Sequence, residues 1–180
     1  MNRIIKIVQW TLAIVSVVAL AVVGIGLVLP SAFQVSRSIE VFAPPDRIFN
    51  HVVDPREWKR WTVWNQRDPD MEVHYAGPPF GQGARWSWNS RTEGKGTMTF
   101  VKVVPNERLG YELSFPDMGM KSSGEIILEP AGKATRVTWT NAGDVGGNPL
   151  KRYVAVLMDR MVGPDFEAGL ANLKRLAETP

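Results

Sequence analysis

A chain of 180 residues with 44% hydrophobic residues is long enough for one domain and an additional element, and too short for two comfortable domains. It has no cysteine, which removes disulfides, thiolate nucleophiles, cysteine metal sites and lipid acylation at cysteine, and is compatible with an oxidising compartment. The 21 Lys and Arg against 18 Asp and Glu suggest a basic protein, but Arg3 and Lys6 stand in a first stretch that holds no acid. The remainder is close to neutral and has no basic stripe for nucleic acid.

The chain opens on an apolar run. From Trp10 to Leu29 no residue is charged, and only Thr11 and Ser16 are polar. At 1.5 Å per residue, a helix of about 20 residues is roughly 30 Å long, the thickness of a bilayer's hydrocarbon core. A core helix of a soluble protein is usually shorter and carries a polar stripe. Residues 7–29 are therefore expected to contact a membrane as a single-pass anchor. Because Arg3 and Lys6 precede the run and the next charge is Arg37, the positive-inside rule predicts a cytoplasmic N-terminus and an extracytoplasmic remainder. The competing reading is a cleaved signal peptide. Against it, the run exceeds a usual h-region, and Leu29-Pro30-Ser31-Ala32-Phe33 offers no A-x-A-like site. The expected division is 1–30 for the stub and membrane helix, and 31–180 for the domain.

Beyond Pro30 the pattern alternates. Gln34 to Phe42 places Val35, Ile39 and Val41 on one face of a strand. Pro44-Pro45-Asp46 stops it and starts a helix, with Ile48, Phe49, Val52 and Val53 at helical spacing as far as Asp54-Pro55. A short second helix carries Trp58 and Trp61 on one face, and Trp64 falls in a polar loop with Asp68-Pro69-Asp70.

Met71 to Asn141 reads as antiparallel strands, rich in Thr, Val, Ile and aromatic residues. They cover Met71–Tyr75, Ala84–Trp88, Thr97–Val104, Arg108–Phe115, Lys121–Glu129 and Thr135–Asn141. A helix from about Leu150 to Ala177 closes the chain. Leu150, Val154, Leu157 and Met161 mark one apolar stripe, and Phe166, Leu170, Leu173 and Ala177 a second. The two are offset by five residues at Gly163-Pro164. Proline removes an amide and crowds the carbonyl of Arg160, so a bend is predicted there, turning Met161 and Phe166 toward the same sheet. The fold class is α+β, with helices on one face of a curved antiparallel sheet of six to seven strands.

Four segments carry a family resemblance: Ala43 to Asp54 (APPDRIFNHVVD), Trp58 to Trp64 (WKRWTVW), Thr135 to Thr140 (TRVTWT) and Met161 to Lys174 (MVGPDFEAGLANLK). Together, in this order, they resemble the SRPBCC superfamily, and more closely its bacterial polyketide cyclase/dehydrase-type members with an N-terminal membrane helix. The resemblance implies a START-like helix-grip fold, in which a curved sheet grips the C-terminal helix around a deep hydrophobic cavity. It also implies an apolar small molecule as partner, such as a lipid, quinone or polyketide-like aromatic. Most members bind apolar molecules and a minority are enzymes, so the word cyclase says little about activity.

The residues themselves give no nucleophile–base pair. His51 and His74 have no metal or triad spacing and read as structural and outward-facing, respectively. Of the carboxylates, Asp165 is the better cavity candidate and Glu167 the weaker, against a plain reading of solvated acids in a helical turn. Asp68 and Asp70 read as turn formers. Gly81-Gln82-Gly83 and Gly94-Lys95-Gly96 lack the lengths of phosphate loops. No catalytic residue, metal or cofactor is assigned. The unusual feature is six tryptophans in the domain, since large rings tend to line a pocket. The expected lining set is Trp88, Met98, Phe100, Trp139, Met161 and Trp61. The leading reading is a membrane-tethered binding or transfer module. The alternatives are a cyclase, dehydratase or hydrolase-type enzyme using the same cavity, and a protein-interaction domain of the cell envelope.

Overall fold

The computed structural model describes residues 2–179, so Met1 and Pro180, the ends of the expected stub and domain, lie outside the described residues. A first helix, α1, runs from Asn2 to Val28. It is long and apolar enough to cross a membrane, a property that an N-terminal signal sequence shares. Its side chains, Trp10, Leu20 and Ile25 among them, are exposed on every face rather than along one stripe.

Seven strands follow: β1 (Ala32–Val41), β2 (Glu72–Ala76), β3 (Arg85–Ser90), β4 (Gly94–Val104), β5 (Arg108–Phe115), β6 (Met120–Ala131) and β7 (Ala134–Asp144). Between β1 and β2 lie the short helices α2 (Pro45–Val53), α3 (Trp58–Trp61) and α4 (Trp64–Arg67). The last helix, α5, covers Pro149–Glu178. All strand pairs are antiparallel, in the order β1-β7-β6-β5-β4-β3-β2. From β2 to β7 each hairpin extends the sheet by one strand, and β7 closes the order by pairing with β1. An irregularity in the β4–β5 pairing between Phe100 and Lys102 helps bend the sheet.

Alternation decides which face is inside. On β7 Thr135, Val137, Trp139 and Asn141 are buried, and on β6 Ser122, Gly124, Ile126 and Leu128. Gly124 faces Asn141 across the β6–β7 pair, and a Cβ there would overlap the Thr140 carbonyl oxygen and the Tyr111 hydroxyl. The absence of a side chain makes room for the hydroxyl end of the Tyr111 ring. The rings form one cluster around Trp58, whose centroid is 4.7 Å from Trp61, 5.3 Å from Trp86 and 5.8 Å from Trp139. Their polar edges are satisfied. Trp58 Nε1 donates to the Val52 carbonyl (2.8 Å), Trp61 Nε1 to that of His51 (3.1 Å), and Trp139 Nε1 to the Tyr111 hydroxyl (2.8 Å).

The structure corrects the reading of α5. Its buried face is Ala155, Met158, Phe166, Leu170, Leu173 and Ala177, with Val162 partly buried. These residues recur every three or four positions straight through Pro164, so the five-residue offset behind the predicted bend does not exist on that face. The helix is continuous across the proline. Leu150, Val154, Leu157 and Met161 belong to a second apolar stripe that is exposed, Met161 to 60%. Arg37 of β1 fixes the middle of α5, donating to Asp159 (2.7 Å) and Glu167 (2.6 Å).

The start of α5 is also tied to α1. A Cβ on Gly26 would lie 2.5 Å from the Pro149 carbonyl oxygen, so glycine permits a close helix crossing there. Arg152 donates to the carbonyls of Leu27 (2.6 Å) and Leu29 (3.1 Å), and the Tyr153 hydroxyl to that of Val22 (2.7 Å).

Candidate functional site

Between the sheet and α5 lies a cavity of about 430 Å³, within the range of small-molecule sites. The sheet contributes Val73 and Tyr75 of β2, Trp86 and Trp88 of β3, Met98 of β4, and Leu113 and Phe115 of β5. Val154, Met158, Met161, Val162 and Phe166 of α5 face them, and Met118 and Met120 form part of the rim. Methionine side chains are flexible and polarisable, so this rim can adapt to ligands of different shape.

Of the expected lining set, the structure brings Trp88, Met98 and Met161 onto the cavity wall. It does not bring Phe100, Trp139 or Trp61 there, and their placement is corrected. All three point inward, as the strand and helix periods imply, but they pack behind the wall. Trp139 stacks on Phe166 with centroids 3.8 Å apart and planes 3° from parallel, and Trp61 meets it at 5.0 Å. The tryptophans that line the cavity besides Trp88 are Trp58, Trp64 and Trp86. Inward period finds the face, whereas the depth behind α5 is set by tertiary packing.

Polar groups gather at one part of the wall. Asp165 accepts from Trp64 Nε1 (3.1 Å) and from the Arg67 guanidinium, while Arg67 Nε lies 3.3 Å from Glu93. Asp165, Arg67 and Glu93 all border the cavity, whereas Glu167 is turned away to Arg37. Both contacts to Asp165 fall on Oδ2. Burial pushes the Tyr111 phenol well above its ordinary value, so it stays protonated and donates to the Thr140 carbonyl (2.7 Å). His51 pairs with Glu57 (2.9 Å) away from the cavity, and His74 is exposed on β2. Among the described residues no group of three or more His, Asp or Glu could hold a metal ion.

Asn141 is the residue that sequence reasoning passed over. It borders the cavity, is 8% exposed, and its side-chain oxygen Oδ1 is buried without a hydrogen-bond partner among the described residues. The available signal was its place two residues beyond Trp139 on the inward period of β7.

The polar edge is held by Asp68, which is buried and accepts from Ser90 Oγ (2.6 Å) and from the amides of Arg91 (3.1 Å) and Asp70 (3.2 Å). The Ser90 hydroxyl, together with those amides, holds this carboxyl below the usual carboxylate range. A depressed carboxylate contributes stability above its unfolded value, about 3.9, and loses it as the pH falls through the folded value. Urea midpoints between pH 6 and pH 3 should therefore fall less steeply for Asp68→Asn than for the wild type below about pH 4. Parallel curves would show that Asp68 does not couple this loop to folding.

A curved seven-stranded sheet closed over a long helix, with an apolar cavity between them, defines a helix-grip cavity domain. The chain belongs to the family described as polyketide cyclase / dehydrase and lipid transport, which matches residues 32–178. No curated protein matches it. Among solved structures, protein CV1439 from Chromobacterium violaceum is similar at TM-score 0.61 and 16% identity, over 82% of this chain and 98% of that one. The Aha1 dimer from Colwellia psychrerythraea is similar at TM-score 0.55 and 16% identity, over 81% and 96%. The di-domain ARO/CYC StfQ from the steffimycin biosynthetic pathway matches at TM-score 0.61 and 13% identity, over 82% of this chain and 51% of that one. At such identities these similarities speak for the fold alone.

Proposed function

We propose that this chain is a membrane-tethered binding or transfer module for an apolar small molecule, with α1 as a retained anchor. The observation that carries the reading is the joint between α1 and the exposed stripe of α5. Val154 and Met161 border the cavity on the helix whose first turns pack on the apolar helix at Gly26, Val22 and Leu27. An apolar cavity rim beside an apolar anchor suits a ligand that leaves or enters a bilayer. An all-round apolar helix needs a non-aqueous surrounding, and its contacts with Arg152 and Tyr153 support an anchor kept rather than cleaved. Arg3 and Lys6 favour a cytoplasmic N-terminus and a domain on the far side. The cyclase-type alternative would need an acid or base on the wall, where Asp165 and Glu93 both contact Arg67.

The full chain should stay with membranes through an alkaline carbonate wash. Native mass spectrometry from mild detergent should then release an apolar molecule of a few hundred daltons. Release of α1 into a soluble, processed form would end the anchor reading. A protein that always emerges empty would end the binding reading.

A further inference from the structure

We propose that Asn141 is the recognition point of the cavity, and that the ligand is a neutral, mostly apolar alcohol or phenol whose hydroxyl meets this amide. The inference rests on the reading of the cavity as a ligand site. Among the described residues, five polar side chains are buried: Thr62, Asp68, Ser122, Thr135 and Asn141. Three of them are satisfied within the chain. Thr62 donates to the Trp58 carbonyl, Thr135 to that of Ala43, and Asp68 accepts from Ser90 and two amides. The two exceptions are neighbours. Ser122 pairs with Gly143 and Gly124 with Asn141, so Ser122 and Asn141 are diagonal partners on the same inner face of β6 and β7.

An unpaired buried amide is destabilising, and native proteins retain one where a partner arrives from elsewhere. The directly paired neighbours of Asn141 do not supply that partner, and the diagonal Ser122 hydroxyl makes no hydrogen bond to it. Val35 lies opposite on β1 and Gly124 opposite on β6, and neither offers a polar side chain. Because β7 is paired on both sides, Asn141 cannot swing to solvent without breaking the sheet. Asn141 borders the cavity, and its amide carries a donor at Nδ2 and an acceptor at Oδ1.

The chemistry of the partner follows from what the wall offers. A hydroxyl donates and accepts through one small atom, so it can satisfy the amide while its frame fills the apolar space. No cationic residue pairs with Asn141 or adjoins it on β7. The bordering bases are Lys59 and Arg67, which stand on α3 and α4, and Arg67 is already held by Asp165 and Glu93.

The test uses the full chain in phosphatidylcholine nanodiscs with two probes of similar shape, 2-naphthol and 2-methylnaphthalene. Binding is followed by the ¹⁵N indole signals of Trp64, Trp86 and Trp88, and by the side-chain amide signal of Asn141. The wild type should bind 2-naphthol about tenfold more tightly than Asn141→Leu does, while the affinity for 2-methylnaphthalene is equal or higher in the variant. Comparing one probe across two proteins cancels its partition into lipid. Should Asn141→Leu fail to fold, the wild type alone decides, because its Asn141 amide signal should move with 2-naphthol and stay with 2-methylnaphthalene. Indole shifts with both probes but an indifferent Asn141 amide, or a variant with unchanged preference, would overturn the inference and leave the ligand cavity standing. No shift with either probe would overturn the cavity reading and the inference together.

Discussion

Trp139→Ala is expected to lower the folding free energy by about 3–5 kcal/mol, a full core penalty. The ring is 1% exposed, lies parallel to Phe166 at 3.8 Å, and meets Trp58, Trp61 and Trp64 at 5.0 to 5.8 Å. Its removal leaves a hole that β7 and α5 cannot close without disturbing the pairing on both sides of β7. It also takes the indole donor from the Tyr111 hydroxyl. Trp88→Ala is the comparison, because that ring borders the cavity and has fewer atoms with packed neighbours to lose. Urea unfolding of both variants in mild detergent should place Trp139→Ala well below Trp88→Ala. Equal losses would mean that Trp88 packs as tightly as the core.

Gly124→Ala should be nearly as damaging, at about 3 kcal/mol or more. The added methyl would meet the Thr140 carbonyl and the Tyr111 hydroxyl, which are themselves hydrogen-bonded to each other at 2.7 Å. One is backbone of a central strand and the other is the oxygen of a buried phenol, so neither can yield cheaply. Gly147→Ala provides the contrast. Nothing lies within 4 Å of a Cβ there, and a change within about 0.5 kcal/mol is expected. A Gly124→Ala protein with a wild-type midpoint would show that β6 and β7 can separate locally at little expense.

The strands were legible because their residues alternate, and α1 because its residues do not. Val35 and Val41 on β1, and Ala84 and Trp86 leading into β3, reveal the inner face by period alone. The short helix of Trp58 and Trp61 was equally plain, since both rings are buried on one side of it. The failure at α5 has a physical cause. Leu150, Val154, Leu157 and Met161 repeat as regularly as Ala155, Met158, Val162 and Phe166, and are greasier. A helix with two apolar faces gives no sequence signal for which one meets the sheet.

The cavity was legible only in part for a related reason. Trp88, Trp139 and Phe100 have the same inward period, but whether a ring meets α5 or open space depends on how far the helix stands from each strand. Asn141 was present in the pattern as well. Its significance appears only when Val35 and Gly124 are known to flank it.

The joint between α1 and the sheet limits how far the cavity can travel. Only residues 29 to 31 separate the end of α1 from β1, a span of about 10 Å even when fully extended. Gly26 and Arg152 hold that joint further in place. A carrier on a long flexible leash can shuttle between two membranes, whereas this domain would be moored flush against its own. On the proposed reading, with α1 embedded, any cargo would have to be handed over at that surface, to the neighbouring leaflet or to a second protein that comes alongside.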